Sequence, residues 1–199
     1  MFSCFIKGPG QFNGKQGRAL QPEESPTFVE TWKDMEKLLA TGKNAIPYHN
    51  PGRLTTRTGK TRTIGVSNFS IKTLNVLLRH ASVVPAVNQV EAHPCLPQHA
   101  LLSFCTERRI VLTAYAPVGK HKYAEEDEDI AAIAQKKNIT TAQVLLSWGV
   151  QRGTVVVPKS ERQERIRQNI SVSATSILFE ILNENRHSLY GLIQTRCRF

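Results

Sequence analysis

The sequence predicts an α/β fold with a parallel sheet, built from about four consecutive βα units. Short, nearly all-apolar segments alternate with longer segments whose apolar residues recur every three or four positions. Strands that are covered on both faces have this uniformly apolar character. Each interval between strand starts, near residues 63, 85, 110 and 154, is long enough for a crossover helix.

The first predicted helix begins at Thr27 and ends at Gly42. Thr27 and Glu30 have the spacing of a capping box, and a glycine commonly ends a helix. Apolar residues recur at helical spacing between these ends: Phe28, Trp32, Met35 and Leu39. Residues 1–26 are rich in Gly, Pro, Lys and Gln, and we expect them to be irregular.

The repeating part follows, with Ser70 as a predicted helix cap and Pro97 at a predicted helix start. In chain order we predict a strand at 63–67, a helix to about 81, a strand at 84–91, a helix at 97–108, a strand at 110–115, helices at 125–137 and 141–151, a strand at 155–158 and a helix at 161–169. The helix at 125–137 opens with acidic and closes with basic residues, which suits the helix dipole.

Two segments interrupt this regular order. Residues 44–60 are too long for a helix-to-strand connection, which usually takes about 2 to 6 residues. A P-loop is excluded there, because Leu54 occupies the position of its first glycine. Residues 170–199 do not continue the alternation. We therefore predict a main domain over residues 27–169 with an atypical insert at 44–60, preceded by the 1–26 segment and followed by a divergent tail.

The composition limits the classes of function. The chain has 199 residues, 40% of them hydrophobic, and a formal net charge of +10. No apolar stretch approaches the ~20 residues that span a bilayer, and the apolar part of the N-terminus is too short for a secretory signal, so we expect a cytoplasmic protein without a membrane. The cysteines and histidines lack metal-ligand spacing, which predicts no metal site and reduced thiols. Because no aromatic residues interleave with the scattered basic ones, one anion-binding spot is favoured over a nucleic-acid surface.

The segment VVVPKSERQERIRQN, residues 155–169, is the candidate for that anion site. Ligands of parallel α/β folds bind beyond the carboxyl ends of the strands, and barrels commonly hold a phosphate there at a helix N-terminus. Lys159 and Ser160 occupy such a place, with Arg162 and Arg165 in the first turns of the next helix. Taken alone, this motif is explained more simply by a solvated amphipathic helix.

Other predicted strand ends also carry polar side chains. Ser67 and Asn68 follow one strand, Asn88 and Gln89 lie within the next, and Tyr115 ends a third. Buried amides are costly unless they are hydrogen-bonded, so several such ends together predict a site. The amides are suited to a carboxamide, and Tyr115 is suited to an aromatic ring.

These segments resemble the second half of the aldo-keto reductase family over about 125 residues, in the family's order. The matching motifs are TWKDMEKLLATGK, IGVSNFS, VNQVEAHP, TAYAPVG, QVLLSWGVQRG and VPKSERQERIRQN. The resemblance implies a partial (β/α)8 TIM barrel, namely its second half, which binds NADP(H). It also implies NADPH-dependent reduction of aldehydes and ketones, with a small-molecule carbonyl substrate.

The resemblance further implies which residues contact the cofactor. It assigns the nicotinamide carboxamide to Ser67, Asn68 and Gln89, and the nicotinamide ring to Tyr115. It assigns the pyrophosphate loop to Ala116, Pro117, Val118 and Gly119. It assigns the 2′-phosphate and adenine end to Lys159, Ser160, Arg165, Gln168 and Asn169. Gln168 stands where the family often has a glutamate.

The same resemblance places the catalytic Asp, Tyr, Lys and His on the first four barrel strands, which have no counterpart in this chain. We therefore predict no catalytic residue here, a structural role for His93, and a truncated or misassembled, catalytically impaired reductase. Open barrel edges predict self-association. The alternatives are a non-catalytic NADP-binding pseudoenzyme or a fragment without activity, with a nucleic-acid binder ranked last.

Overall fold

The computed structural model describes residues 3–7, 26–41, 43–44, 57–58, 63–119 and 127–172. The chain divides into two compact units, so the predicted domain at 27–169 is shared between them. The first unit comprises residues up to 89 and residues 101–111, and the second comprises residues 90–100 and those from 112 onward. Among the described residues, no helix is long and apolar enough to cross a membrane.

The first unit is built on parallel strand pairs. Strand β1 (Ser3–Lys7) pairs with β4 (Thr63–Ser67), and β4 pairs with the start of β5 (Val87–Glu91). The prediction that residues 1–26 are irregular is therefore wrong for Ser3–Lys7, while residues 8–25 lie outside the described part. The strand was missed because its partner β4 lies far along the chain, and local composition does not report such pairing.

Helix α1 (Phe28–Thr41) is anchored by polar contacts to the turn that precedes β5. The predicted capping box is confirmed, since Thr27 N donates to Glu30 Oε2 over 2.7 Å and Glu30 N donates to Thr27 Oγ1 over 3.3 Å. The fully buried Trp32 donates from Nε1 to Val83 O over 3.2 Å. The Glu36 carboxylate accepts from two successive backbone N–H groups of this turn, each over 2.8 Å. Side chains of α1 are thus hydrogen-bonded to backbone groups of the turn, and these bonds hold the helix and the turn together.

The remaining helices of the repeating part agree with the prediction in type. Ser70 caps α2 (Ile71–His80), accepting from Thr73 N over 3.2 Å. Helix α3 (His99–Glu107) follows, two residues later than Pro97. Strand β5 begins at Val87 rather than at residue 84, since Pro85 has no N–H group to donate to a ladder.

Only the ends of the predicted insert are described. Strand β2 (Lys43–Asn44) pairs antiparallel with β3 (Arg57–Thr58), and residues 45–56 lie outside the described part. The predicted tail is also mostly outside it, from residue 173 onward. One expectation about the thiols is wrong, because Cys95 is disulfide-bonded, whereas Cys105 is buried and free.

The second unit pairs β6 (Val111–Tyr115) in parallel with β7 (Val155–Val157). Helices α4 (Glu128–Lys137) and α5 (Thr141–Gln151) connect them, and α6 (Gln163–Ser171) follows β7. The α4 and α5 helices share an apolar core: Ile130, Ala134, Val144 and Leu145, with Val118, Ile133 and Ile139 packed against it.

Helix α5 approaches β7 closely at Gly149. A Cβ atom at this position would lie 2.6 Å from Val156 Cγ1, so only glycine permits this distance between helix and strand. The approach brings the C-terminal part of α5 against the strand that leads directly into Lys159 and Ser160. Its N-terminal end meets α6 instead, through Gln143.

Candidate functional site

In the first unit, the polar residues at the strand ends are joined by hydrogen bonds to one backbone oxygen. Ser67 Oγ donates to Gln89 O over 2.9 Å, and Asn68 N donates to the same oxygen over 2.8 Å. Asn68 has a left-handed backbone with φ of 60°, which asparagine tolerates better than most residues. The half-buried Gln89 side chain makes no hydrogen bond within the described residues. Three predicted contact residues thus lie together, with the Gln89 amide still able to bind a polar ligand.

Asn88 has a structural role in the same unit. Its fully buried amide donates to Phe69 O over 2.9 Å and accepts from Phe69 N over 3.3 Å. The backbone N–H and C=O groups of Phe69 are therefore both satisfied by the Asn88 side chain, which fixes the turn that contains Asn68. Asn88 thus supports the strand end.

Tyr115 ends β6 in the second unit and is partly buried. Burial raises the pKa of its phenol above the ordinary value, and the Glu91 carboxylate nearby raises the pKa further. The side chain therefore remains a neutral aromatic ring at physiological pH. A neutral ring at a strand end can pack against a flat ligand, as the sequence predicts.

The chain turns sharply after Tyr115. Ala116 has a left-handed backbone with φ of 47°, and Gly119 has φ of 64°. Gly119 N donates to Ala116 O over 2.9 Å, which closes the turn. Ala116 pays roughly 1 to 2 kcal/mol for this conformation, which has no signal in the sequence. Pro117 is buried, and Val118 packs on the α4–α5 core.

A cavity of about 500 Å³ opens between this turn and α6, within the second unit. It is formed by Val118, by the start of α5 and by the segment from the end of β7 into α6. Its lining residues are Val118, Thr140, Thr141, Ala142, Pro158, Lys159, Ser160, Glu161, Arg162, Arg165, Gln168 and Asn169. We call this cavity the α6 pocket.

The α6 pocket carries an excess of positive charge. Lys159, Arg162 and Arg165 contribute cations, and Glu161 contributes the opposing carboxylate. Lys159 Nζ pairs with Glu161 Oε1, but both side chains are 83% exposed. Such an exposed pair is worth about 0 to 1 kcal/mol, so an incoming anion can replace Glu161 as the partner of the ammonium.

Hydrogen-bond donors are added where α6 begins. The helix starts at Gln163, and no side chain caps its N-terminal N–H groups. Ser160 Oγ instead accepts from Arg162 N over 3.2 Å, in the turn just before the helix. Open N–H groups and adjacent cations are the elements of an anion site. Among the described residues, no cluster of His, Cys, Asp and Glu is suited to a metal ion.

The structure therefore gathers the predicted site residues into separate groups. Val118 and the predicted phosphate and adenine residues line one cavity: Lys159, Ser160, Arg165, Gln168 and Asn169. Ala116, Pro117 and Gly119 form the turn beside it. Ser67, Asn68 and Gln89 are grouped in the first unit, and Tyr115 lies in the second.

The sequence did not indicate one wall of the α6 pocket. Thr140, Thr141 and Ala142 line it at the start of α5. A local signal was present, because Thr140 and Gln143 have the spacing of a capping box, and both reciprocal bonds are formed. Helix α6 itself begins two residues later than the predicted 161, so Lys159 to Arg162 form the turn in front of it.

Comparison with known proteins identifies the relationship. The model of the aldo/keto reductase family matches residues 21–180. D-galacturonate reductase of Hypocrea jecorina is 43% identical over 145 residues, covering 72% of this chain and 41% of that protein. Aldehyde reductase YPR1 of Saccharomyces cerevisiae is 39% identical over 148 residues, covering 73% and 42%.

Solved structures agree. A mutant of Gox0644 in complex with NADPH superposes with a TM-score of 0.63 at 34% identity, covering 74% of this chain and 48% of that one. The chain thus spans about half the length of the curated relatives it matches. The predicted partial α/β barrel is confirmed by these matches. The chain belongs to the aldo/keto reductase family.

Proposed function

We propose that the chain binds NADP(H) with the 2′-phosphate of the adenosine end in the α6 pocket. It would supply the cofactor side of an NADPH-dependent reduction of aldehydes and ketones. The observation that carries the proposal is the meeting of Lys159, Ser160 and Arg165 in one cavity at an uncapped helix start.

The residues present fit a phosphorylated ribose. A phosphate monoester carries nearly two negative charges and accepts several hydrogen bonds. Lys159 and Arg165 offer charge, Ser160 offers a hydroxyl, and the first N–H groups of α6 offer uncapped donors. Charge-assisted contacts contribute roughly 1.5 to 3 kcal/mol each, so two of them favour NADPH over NADH by about 10² to 10⁴-fold. The high exposure of Lys159 favours the lower end of that range.

The nicotinamide end is assigned by the resemblance to Ser67, Asn68, Gln89 and Tyr115. The partly exposed side-chain amide of Gln89, which makes no hydrogen bond to another described residue, supports a contact to a carboxamide. The neutral phenol of Tyr115 supports ring stacking. The bound cofactor would supply the hydride, and these residues would only hold and orient the ring.

We propose that proton transfer to a carbonyl oxygen is not performed by these residues. Tyr115 is assigned to the nicotinamide ring, and its raised pKa makes it a poorer acid at neutral pH. His93 is buried, and its Nε2 lies 3.5 Å from Glu91 Oε1, which supports a structural role. The chain alone would therefore bind cofactor but reduce aldehydes slowly or not at all, as expected of an impaired reductase.

The substrate is a small carbonyl compound, acted on where the complete site exists. The protein works in the cytoplasm, where NADPH is abundant. Strand β7 favours self-association, because Val155 and Val157 project from one face and are 48% and 41% exposed.

Calorimetric titration of the purified chain with NADPH, NADH and a DNA duplex tests the proposal. We expect saturable NADPH binding, at least tenfold weaker NADH binding and no comparable DNA binding. Turnover of a simple aldehyde separates a reductase from a non-catalytic NADP-binding protein. Equal affinity for both cofactors would contradict the assignment of the α6 pocket, and salt-sensitive DNA binding alone would favour a nucleic-acid binder.

A further inference from the structure

The side chain of Gln143 joins the start of α5 to the end of α6. Its Oε1 accepts from Thr140 N over 2.9 Å and from Thr140 Oγ1 over 3.1 Å, which completes the α5 capping box. Its Nε2 donates to Gln168 O over 3.2 Å and to Ser171 Oγ over 3.0 Å. One amide thus uses its oxygen on α5 and its nitrogen on α6.

Within the described part of the chain, α6 buries little of its own surface. No residue from Gln163 to Ser171 is buried, and the apolar Ile166 and Ile170 are 42% and 70% exposed. Burial of apolar surface, the usual source of helix docking, therefore contributes little along its length. Val172, which follows the helix, is buried. Polar contacts near the last turn consequently have a larger share in holding α6 than in most helices.

The two elements that Gln143 joins both line the α6 pocket. Thr140, Thr141 and Ala142 line it from the start of α5. Arg165, Gln168 and Asn169 line it from α6. A change in the position of α6 relative to α5 would move the Arg165 guanidinium away from any anion held at Lys159 and Ser160.

We propose that Gln143 is a positioning residue that holds α6 at the distance from α5 that the 2′-phosphate of NADPH requires. The proposal rests on the proposed function for its ligand, but the coupling of the two helices does not. Gln143 touches no cofactor atom in this account and acts through Gln168 and Ser171.

The capping box alone would also explain a glutamine at this position. Glutamate serves equally well in a capping box, because only the side-chain oxygen is used there. Gln143→Glu therefore keeps the α5 cap but removes both donors to α6, and it sets a carboxylate against Gln168 O. Gln143→Met is neutral and removes both the capping contacts to Thr140 and the two hydrogen bonds to α6. Ser171→Ala is neutral and removes one of the two hydrogen bonds that Gln143 donates to α6.

Hydrogen exchange on the free chain tests the coupling without cofactor. We expect amides of α6 to exchange about tenfold faster in Gln143→Glu, while the first turn of α5 keeps its protection. Ser171→Ala is expected to give about a threefold increase. Unchanged α6 exchange in both variants would overturn the coupling.

Titration with NADPH and NADH tests the consequence for binding. We expect Gln143→Met to bind NADPH about tenfold more weakly and Ser171→Ala about threefold more weakly, with little change for NADH. Ser70→Ala is the control for a lost helix cap, since it uncaps α2 in the first unit and leaves the α6 pocket intact. Unchanged NADPH affinity in both test variants would overturn the positioning role. Failure of the unmodified chain to bind NADPH would overturn the proposed function, and the exchange measurement would still decide whether Gln143 holds α6.

Discussion

The two ends of the proposed cofactor site are built in opposite ways. In the first unit, the residues at the strand ends are neutral. The fully buried amide of Asn88 fixes their turn through hydrogen bonds to the backbone N–H and C=O groups of Phe69. In the second unit, the α6 pocket is lined by charged side chains of the turn before α6 and by Arg165 of α6, a helix without a buried residue. The first arrangement is held by buried hydrogen bonds, whereas the second depends, among the described residues, on few polar contacts and on charge. Stability should therefore respond to changes at the first end, and affinity and salt dependence to changes at the second.

The largest expected effect is on stability, at Asn88. Asn88→Leu removes the side-chain partner of the backbone N–H and C=O groups of Phe69. We expect this change to lower the free energy of unfolding by about 2 to 4 kcal/mol. Urea denaturation followed by circular dichroism measures this loss. Asn75→Leu on α2 of the same unit is the matched control, with an expected change within about 0.5 kcal/mol. Equal stability of the two variants would contradict the view that Asn88 holds the turn around Asn68 in place.

The next effect is on affinity, at Lys159. Lys159→Glu replaces a cation of the α6 pocket by an anion, and we expect NADPH binding to weaken by about 10 to 100-fold while NADH binding changes little. Lys72→Glu makes the same change of charge on an exposed position of α2 and serves as the control. If Lys72→Glu weakened NADPH binding as much, only the overall charge of the protein would matter.

A smaller effect of opposite sign is expected at Glu161. Glu161→Gln removes the carboxylate that pairs with Lys159 Nζ, so NADPH should bind a few-fold more tightly. The gain should disappear in 1 M salt, where screening reduces the Debye length to about 3 Å. Fluorescence titrations at low and high salt measure both quantities. A gain that persisted in 1 M salt would require a cause other than charge.

The smallest effect concerns pH and Tyr115. Its pKa is raised in the folded state, so the folded chain retains the phenolic proton that the unfolded chain loses first. The associated stability is present below the ordinary pKa of 10.0 and is lost as pH rises through the higher folded value. Tyr115→Phe should therefore flatten the alkaline decline in unfolding free energy, measured by urea denaturation between neutral and alkaline pH. An identical decline in both proteins would argue against burial of this phenol.

Sequence predicted those elements whose signals are local. The caps at Thr27 and Ser70 and the run from Lys159 to Asn169 lie within a few residues of the structures they specify. Strand β1 was missed because its hydrogen bonds are made with β4, far along the chain. The capping spacing of Thr140 and Gln143 is visible in sequence, but the second use of Gln143, as a donor to α6, depends on tertiary packing. The left-handed Ala116 had no residue-type signal.

Phosphorus NMR of NADP⁺ reports whether the α6 pocket contacts the 2′-phosphate, because this phosphate has its own resonance. We predict that adding the chain shifts or broadens this resonance in a saturable way, and that Lys159→Glu abolishes the effect at the same concentrations while Lys72→Glu does not. A 2′-phosphate resonance that stays at its free position while the pyrophosphate signals respond would contradict the account, since the cofactor would then bind without using the α6 pocket.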